Sequence, residues 1–175
     1  MRFTLAPVVA ALSATLFATA GIASAGAAPA ISTPSLGEGA VVNFVVGYDG
    51  KCMDIPNSST DNHELAQQYT CNGQANQKWR IHYVGSTTWF EIVNVNSNKC
   101  LDVVGAGTTY LTNIQQYTCT GVANQLWNYD LSTRLLAVQH TGDCAGVYTG
   151  TANNKEPLVQ AACAAGNAWD VRYTS

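Results

Sequence analysis

Three pairs of cysteines recur at one fixed spacing, and a tryptophan follows each pair. Cys52 and Cys71, Cys100 and Cys119, and Cys144 and Cys163 all stand nineteen positions apart. Trp79 and Trp127 follow their second cysteine by eight residues, and Trp169 follows by six. The first two copies match closely: Lys51-Cys52-Met53-Asp54 through Gln77-Lys78-Trp79 against Lys99-Cys100-Leu101-Asp102 through Gln125-Leu126-Trp127. A repeat of roughly forty to fifty residues is one supersecondary unit used three times. It also supplies an internal control. What all three copies share is scaffold, and what one copy lacks is a candidate for function.

The first twenty-five residues stand outside the repeat. Arg2 gives a short positive start, residues 5–22 are apolar, and Ala23-Ser24-Ala25 offers a small-x-small cleavage site. This pattern is expected of a secretory signal peptide over residues 1–25, with the mature chain beginning near Gly26 and the protein secreted to the extracellular space. Residues 26–40 carry two prolines and several Gly and Ala, and are expected to form a flexible lead-in to a domain over 41–175. An exported chain keeps its disulfides. Six cysteines allow fifteen pairings, and equal spacing selects Cys52–Cys71, Cys100–Cys119 and Cys144–Cys163. Each such bridge is worth roughly 3 kcal/mol in the chain-entropy model. Zinc ligation fits poorly, because no Cys-x-x-Cys occurs and His63, His82 and His140 hold no repeated place beside the cysteines. Removing Arg2 leaves seven Lys and Arg against eleven Asp and Glu, a net charge of 7 − 11 = −4. Nothing is basic enough to attract nucleic acid or an anionic membrane, and neither nucleic-acid binding nor membrane insertion is expected.

Short β-branched and aromatic runs, such as Val41-Val42-Asn43-Phe44-Val45-Val46 and Trp89-Phe90-Glu91-Ile92-Val93-Asn94-Val95, alternate with Gly, Asn and Ser clusters. That is an all-β pattern with many tight turns. Alternation sets which way each side chain points. Met53 and Ile55 fall on one face of their strand and Asp54 on the other, as Leu101 and Val103 do against Asp102. Gln67 and Tyr69 share a face with Cys71, and the bridge to Cys52 brings them beside Asp54. Asp54, Gln67 and Tyr69 are therefore expected to converge on an outward patch, as are Asp102, Gln115 and Tyr117. If the aspartates face solvent, replacing them leaves stability unchanged. Trp79, Trp127 and Trp169 occur in every copy and read as core, with Gln77 and Gln125 tying loops to the scaffold. Asn76 and Asn124 suit either a turn or the patch.

These residues together identify a family. Gln77-Lys78-Trp79 and Gln125-Leu126-Trp127, each preceded by Asn, by a second Cys and by Cys-x-Asp, resemble the ricin B-chain type β-trefoil lectins. The likeness is greatest to the bacterial carbohydrate-binding modules of that superfamily, which are found attached to secreted glycosidases. It covers residues 41 to 174 and implies a β-trefoil: three four-stranded units closing a short barrel around a pseudo-threefold axis, with one disulfide per repeat. It also implies a sugar site with Asp54 or Asp102 as carboxylate, Tyr69 or Tyr117 as platform, and Gln67 or Gln115 two residues before the ring. Asn72 or Thr120 follows the second cysteine, and Asn76 or Asn124 completes the set. The implied partner is a mono-, oligo- or polysaccharide, with a separate secreted glycosidase or other chain as companion and no metal or cofactor.

The third copy departs from this pattern. Gly146 stands in the aspartate's place, Ala161 in the ring's place and Asn167 in that of the Gln of Gln-x-Trp, with the second half two residues shorter. Two competent sites and one degenerate unit are expected. A pyranose offers one apolar face to a ring and hydroxyls to a carboxylate, and charge-assisted hydrogen bonds of that kind are strong. A glycosidase needs two carboxylates about 5–5.5 or 6.5–9.5 Å apart. Neither Asp61 nor Glu64 has a matching acid in the second copy, so no catalysis is expected. A trefoil used to bind protein, as an inhibitor or adhesion subunit, is the alternative, since fold alone does not fix function.

Overall fold

The computed structural model describes residues 36–85 and 87–174. The expected signal peptide and residues 26–35 of the expected lead-in lie outside the described residues. Twelve strands are present: β1 (Val41–Val46), β2 (Cys52–Asp54), β3 (Gln67–Tyr69), β4 (Trp79–Tyr83), β5 (Phe90–Asn94), β6 (Cys100–Val103), β7 (Ile114–Tyr117), β8 (Trp127–Asp130), β9 (Leu135–Val138), β10 (Cys144–Val147), β11 (Leu158–Ala161) and β12 (Trp169–Tyr173). The only helical segments among the described residues are 3₁₀ turns of three residues.

The strands divide into two sets with different jobs. β12, β1, β4, β5, β8 and β9 pair in succession, antiparallel throughout. A backbone bond from Trp169 N–H to Arg134 O (2.8 Å), just ahead of β9, closes the ring between β12 and β9. Within each repeat the first and last strands meet at a tryptophan, Trp79, Trp127 or Trp169, and the joints between repeats are β4–β5, β8–β9 and β12–β1. The other six strands form the hairpins β2–β3, β6–β7 and β10–β11, one per repeat. Each repeat thus contributes four strands, and the whole is the β-trefoil that the resemblance implies. The three disulfides join Cys52 to Cys71, Cys100 to Cys119 and Cys144 to Cys163, one in each repeat.

Alternation accounts for the core. Val42 and Phe44 of β1, Ile81 of β4, Phe90 and Ile92 of β5, and Leu136 and Val138 of β9 are all buried. The three tryptophans are buried with them, and each indole N–H donates to a hairpin carbonyl: Trp79 to Met53 O (3.2 Å), Trp127 to Leu101 O (3.0 Å) and Trp169 to Ala145 O (2.9 Å). Tryptophan suits these meeting points because one side chain fills volume and also satisfies a buried carbonyl. Residues 36–40 belong to this packing rather than to a flexible lead-in. Leu36 is buried, its carbonyl accepts from the Tyr83 hydroxyl (2.7 Å), and Gly39 N–H donates to Ile81 O (2.9 Å).

The hairpins are locked to one another by three glutamines that sequence reasoning did not single out. Gln68, Gln116 and Gln160 are all fully buried. Each uses its side-chain amide to donate to two backbone carbonyls of a different repeat. Gln68 reaches Thr151 O (2.7 Å) and Asn153 O (2.6 Å), Gln116 reaches Ser59 O (3.0 Å) and Asp61 O (2.8 Å), and Gln160 reaches Gly107 O (2.8 Å) and Thr109 O (2.9 Å). Their backbones bond to the same loops in both directions: Gln68 N–H to Glu156 O (2.9 Å) and Lys155 N–H to Gln68 O (2.9 Å), with matching pairs at Gln116 and Gln160. The first repeat holds the third, the third holds the second, and the second holds the first.

Replacing Gln116 by Ala removes its hydrogen bonds to Ser59 O and Asp61 O and the one that it accepts from the Ser97 hydroxyl, each worth about 0.5–1.5 kcal/mol. Gln116→Ala is expected to lose about 2–4 kcal/mol of stability in denaturant unfolding with the disulfides intact, while Gln139→Ala, at an exposed position, stays within about 0.5 kcal/mol of the parent. Equal losses at the two positions would contradict the interlock.

Candidate functional site

Hairpin register places the first group of residues together. Asp54 pairs with Gln67 and Cys52 with Tyr69 across β2–β3, and Asp102 pairs with Gln115 and Cys100 with Tyr117 across β6–β7. The 3₁₀ turns Ala75–Gln77 and Ala123–Gln125 then fold back over these strands. Asp54 Oδ1 accepts from Gln67 Nε2 (2.7 Å), and its Oδ2 accepts from Asn76 Nδ2 (2.8 Å) and Gln77 Nε2 (3.0 Å). Asp102 repeats the arrangement with Gln115 (2.8 Å), Asn124 (2.8 Å) and Gln125 (3.0 Å). Two copies of one network, agreeing to within 0.1 Å at every bond, stand at related places in the fold.

The aspartates are not surface groups. Asp54 is 3% exposed and Asp102 4% exposed, against the expectation that both are held facing outward at the surface. Alternation correctly puts them opposite Met53/Ile55 and Leu101/Val103. It does not register the 3₁₀ turn that covers the other face. Burial pushes the Asp102 carboxyl above its usual range, opposed by the donors on Gln115, Gln125 and Asn124 and by nearby His63.

The flanking residues show how the turn is held. Gln77 donates to Thr70 O (3.1 Å) and accepts from Asn72 N–H (2.8 Å), and Gln125 does the same with Thr118 O (3.0 Å) and Thr120 N–H (2.8 Å). These glutamines tie the loop down and also hold the carboxylate, a second role that the sequence did not reveal. Asn76 and Asn124 likewise serve both turn and site, donating to Ile55 O (2.8 Å) and Val103 O (3.0 Å) as well as to the aspartates.

A cleft opens over each carboxylate. The first, of about 330 Å³, is lined by Asp54, Gln67, Tyr69, Asn72 and Asn76, together with Pro56, Asn57, Ser58, Gln74 and Lys155. The second, of about 310 Å³, is lined by Asp102, Gln115, Tyr117, Thr120 and Asn124, together with His63, Gly105, Ala106, Val122 and Gln125. Each therefore brings the sequence-expected residues into one concavity. Each also includes a residue from another repeat that sequence reasoning missed: Lys155 in the first and His63 in the second. The His63 ring lies 5.0 Å from that of Tyr117 at a 54° tilt, and its Nδ1 is 3.3 Å from Gln115 Oε1.

Neighbouring asparagines fix those visiting loops. Asn154 Oδ1 accepts from Thr70 N–H (3.0 Å) and Asn62 Oδ1 from Thr118 N–H (3.0 Å), next in sequence to Tyr69 and Tyr117. The signal for both visitors was positional. Asn62 and Asn154 each follow the first cysteine of their repeat by ten residues, and His63 and Lys155 follow it by eleven.

The third unit keeps the backbone and loses these groups together. Gly146 pairs with Val159 and Cys144 with Ala161, so carboxylate, glutamine and ring are replaced at once. Exposed Tyr110 stands where Asn62 and Asn154 stand in the other loops. Asn167 donates to Ala162 O (2.9 Å) and lies so close that a Cβ on residue 146 would meet its Oδ1 at 2.5 Å. An aspartate cannot return there unless Asn167 moves.

Removing the Asp54 carboxylate leaves three N–H donors without their acceptor. Asp54→Ala is expected to lower stability by about 2–4 kcal/mol, read as a fall in melting temperature at neutral pH. An unchanged melting temperature would return the aspartate to the outward-facing role that the sequence suggested.

Comparison with known proteins places this geometry. The family model described as the ricin-type beta-trefoil lectin domain matches residues 40–169. No curated protein matches the chain. Among solved structures, a designed threefold-symmetric protein, ThreeFoil, is 28% identical over 75% of this chain and 96% of its own, with a TM-score of 0.71. The exo-beta-1,3-galactanase 1,3Gal43A from Clostridium thermocellum is 27% identical over 77% of this chain, with a TM-score of 0.72, although only 30% of the galactanase is covered. The C-half of the earthworm R-type lectin, in complex with GalNAc, shares the fold at 10% identity, with 77% of this chain and 99% of that one covered and a TM-score of 0.62. With the family model spanning most of the described residues and both site networks inside it, the chain belongs to the ricin-type β-trefoil lectin domain family.

Proposed function

We propose that this protein is a secreted, non-catalytic carbohydrate-binding domain that takes galactose- or xylose-type glycans at two of its three repeats. The observation that carries this reading is the duplicated network. A fixed carboxylate, two amide side chains and a tyrosine line a cleft at two related places, and the third place has lost the set together. A pyranose matches such a cleft. Its apolar face covers the Tyr69 or Tyr117 ring, and its hydroxyls donate to the carboxylate while exchanging bonds with amides that both donate and accept. The carboxylate's three amide donors hold it in place before the ligand arrives, so little ordering is left for binding to cost. Two of the similar structures, a galactanase and a lectin in complex with GalNAc, support the galactose side of the assignment. The galactanase also supports a secreted glycosidase as a natural companion.

Glycoside hydrolysis needs a second acid close to the first. Among the described residues Asp54 is the only acid lining the first cleft and Asp102 the only acid lining the second, and each already accepts three hydrogen bonds. Export suits three disulfides in one small domain. Among the described residues no helix is long and apolar enough to cross a membrane.

Titration with a galactose- or xylose-containing oligosaccharide is expected to show roughly millimolar affinity per site, about −4 kcal/mol. Tyr69→Ala and Tyr117→Ala should each remove one site, and the double variant should not bind. Release of reducing sugar by clean protein, or full binding by the double variant, would overturn the assignment.

A further inference from the structure

The two clefts share their carboxylate, amides and tyrosine, but not the side chain that the other repeat's loop delivers. Lys155 lines the Asp54 cleft and His63 the Asp102 cleft. Leu111 holds the corresponding position in the remaining loop, eleven residues after Cys100. All three have left-handed backbones, with φ of 70° at Lys155, 70° at His63 and 65° at Leu111. All three donate their N–H to a buried glutamine: Lys155 to Gln68 O (2.9 Å), His63 to Gln116 O (3.0 Å) and Leu111 to Gln160 O (3.0 Å).

A residue with a Cβ resists that conformation, and Lys, His and Leu share no chemistry that would favour it. The interlock therefore dictates the backbone, and the side chain is the free variable at each place. The two clefts spend that variable differently. His63 packs beside Tyr117 and lies within reach of Gln115, adding an aromatic wall. Lys155 enters no ion pair among the described residues. The neighbouring Glu156 accepts from the Thr151 hydroxyl (3.2 Å) and does not line the cleft. The Asp54 cleft therefore presents a cation to its ligand, beside a carboxylate whose charge is already spread over three N–H donors.

We propose that the Asp54 cleft recognises a carboxylate-bearing saccharide, a uronic acid, whose carboxylate pairs with Lys155 while its hydroxyls engage Asp54 and Asn76. The Asp102 cleft takes a neutral sugar stacked on Tyr117, with His63 extending the aromatic wall beside that ring. This rests on the sugar-binding reading above and divides the two sites by chemistry.

The test is a titration of ¹⁵N-labelled protein with methyl galactoside and, separately, methyl galacturonide. The side-chain amides of Gln67 and Asn76 report the first site, and those of Gln115 and Asn124 report the second. At low salt the first site should bind the galacturonide roughly twofold to fivefold tighter than the galactoside, and the second should not. The preference should fade in 1 M salt, where screening acts over about 3 Å. Lys155→Gly, which suits the left-handed backbone, should abolish the preference so that the first site binds the two sugars alike, and His63→Lys should create it at the second site. Equal or weaker galacturonide binding at the first site, or a preference that survives Lys155→Gly, would overturn the proposal. Absence of any shift with either sugar at either site would instead overturn the sugar-binding reading on which it rests.

Discussion

Each hairpin is completed by a loop from another repeat, and the buried amides of Gln68, Gln116 and Gln160 make that connection. A single repeat contains the glutamine but not the carbonyls that it must satisfy. An unmatched amide costs more in the interior than its hydrogen bond gains when formed. The three units are therefore bound to fold as a set. Disulfides fasten each hairpin internally and the tryptophans join the barrel strands, but neither fixes how one hairpin sits against the next. The glutamine exchange does, and it runs once around the molecule in a single direction.

That exchange also explains why the two clefts are shared between repeats. The loop that accepts from Gln68 carries Asn154 and Lys155 to the Asp54 cleft, and the loop that accepts from Gln116 carries Asn62 and His63 to the Asp102 cleft. Scaffold and cleft use the same backbone there, with one residue bonded to the glutamine and its side chain lining the cleft. The carboxylates are integrated in the same way. Asp54 and Asp102 are acceptors for the turn that carries Asn76 and Asn124, so the group that would meet a sugar is also part of what holds its own cleft open. The third unit shows that the scaffold persists without this pair. Val159 and Gly146 leave no charge to satisfy, and Asn167 keeps the bond to the loop carbonyl while filling the space.

Much of this was legible in the residues themselves. Equal cysteine spacing fixed the three bridges, and the recurrent Gln-x-Trp motif with its alternating strands led to the trefoil. Alternation together with the Cys52–Cys71 pairing brought Asp54, Gln67 and Tyr69 to one patch. Three things were not legible. The cover over the aspartates comes from a 3₁₀ turn, and strand periodicity carries no information about what packs on a face. Residues 36–40 look like linker by composition, yet Leu36 fills a core position. The contributions of Lys155 and His63 depend on contacts between repeats. The rule that shared features mark scaffold would have found Gln68, Gln116 and Gln160, each sixteen residues after its cysteine. The same offsets, followed one step further to position eleven, would have found the residue that differs.

The central claim is that two of three equivalent places hold a sugar and the third does not. A crystal structure of the mature domain soaked in a galactose- or xylose-containing oligosaccharide tests it most directly, because it reports all three places in one experiment. The account predicts a ring stacked on Tyr69 with hydroxyls on Asp54, another on Tyr117 with hydroxyls on Asp102, and none beside Gly146 and Ala161. Sugar bound at the Gly146 place, or absent from both tyrosines while bound elsewhere on the surface, would contradict it.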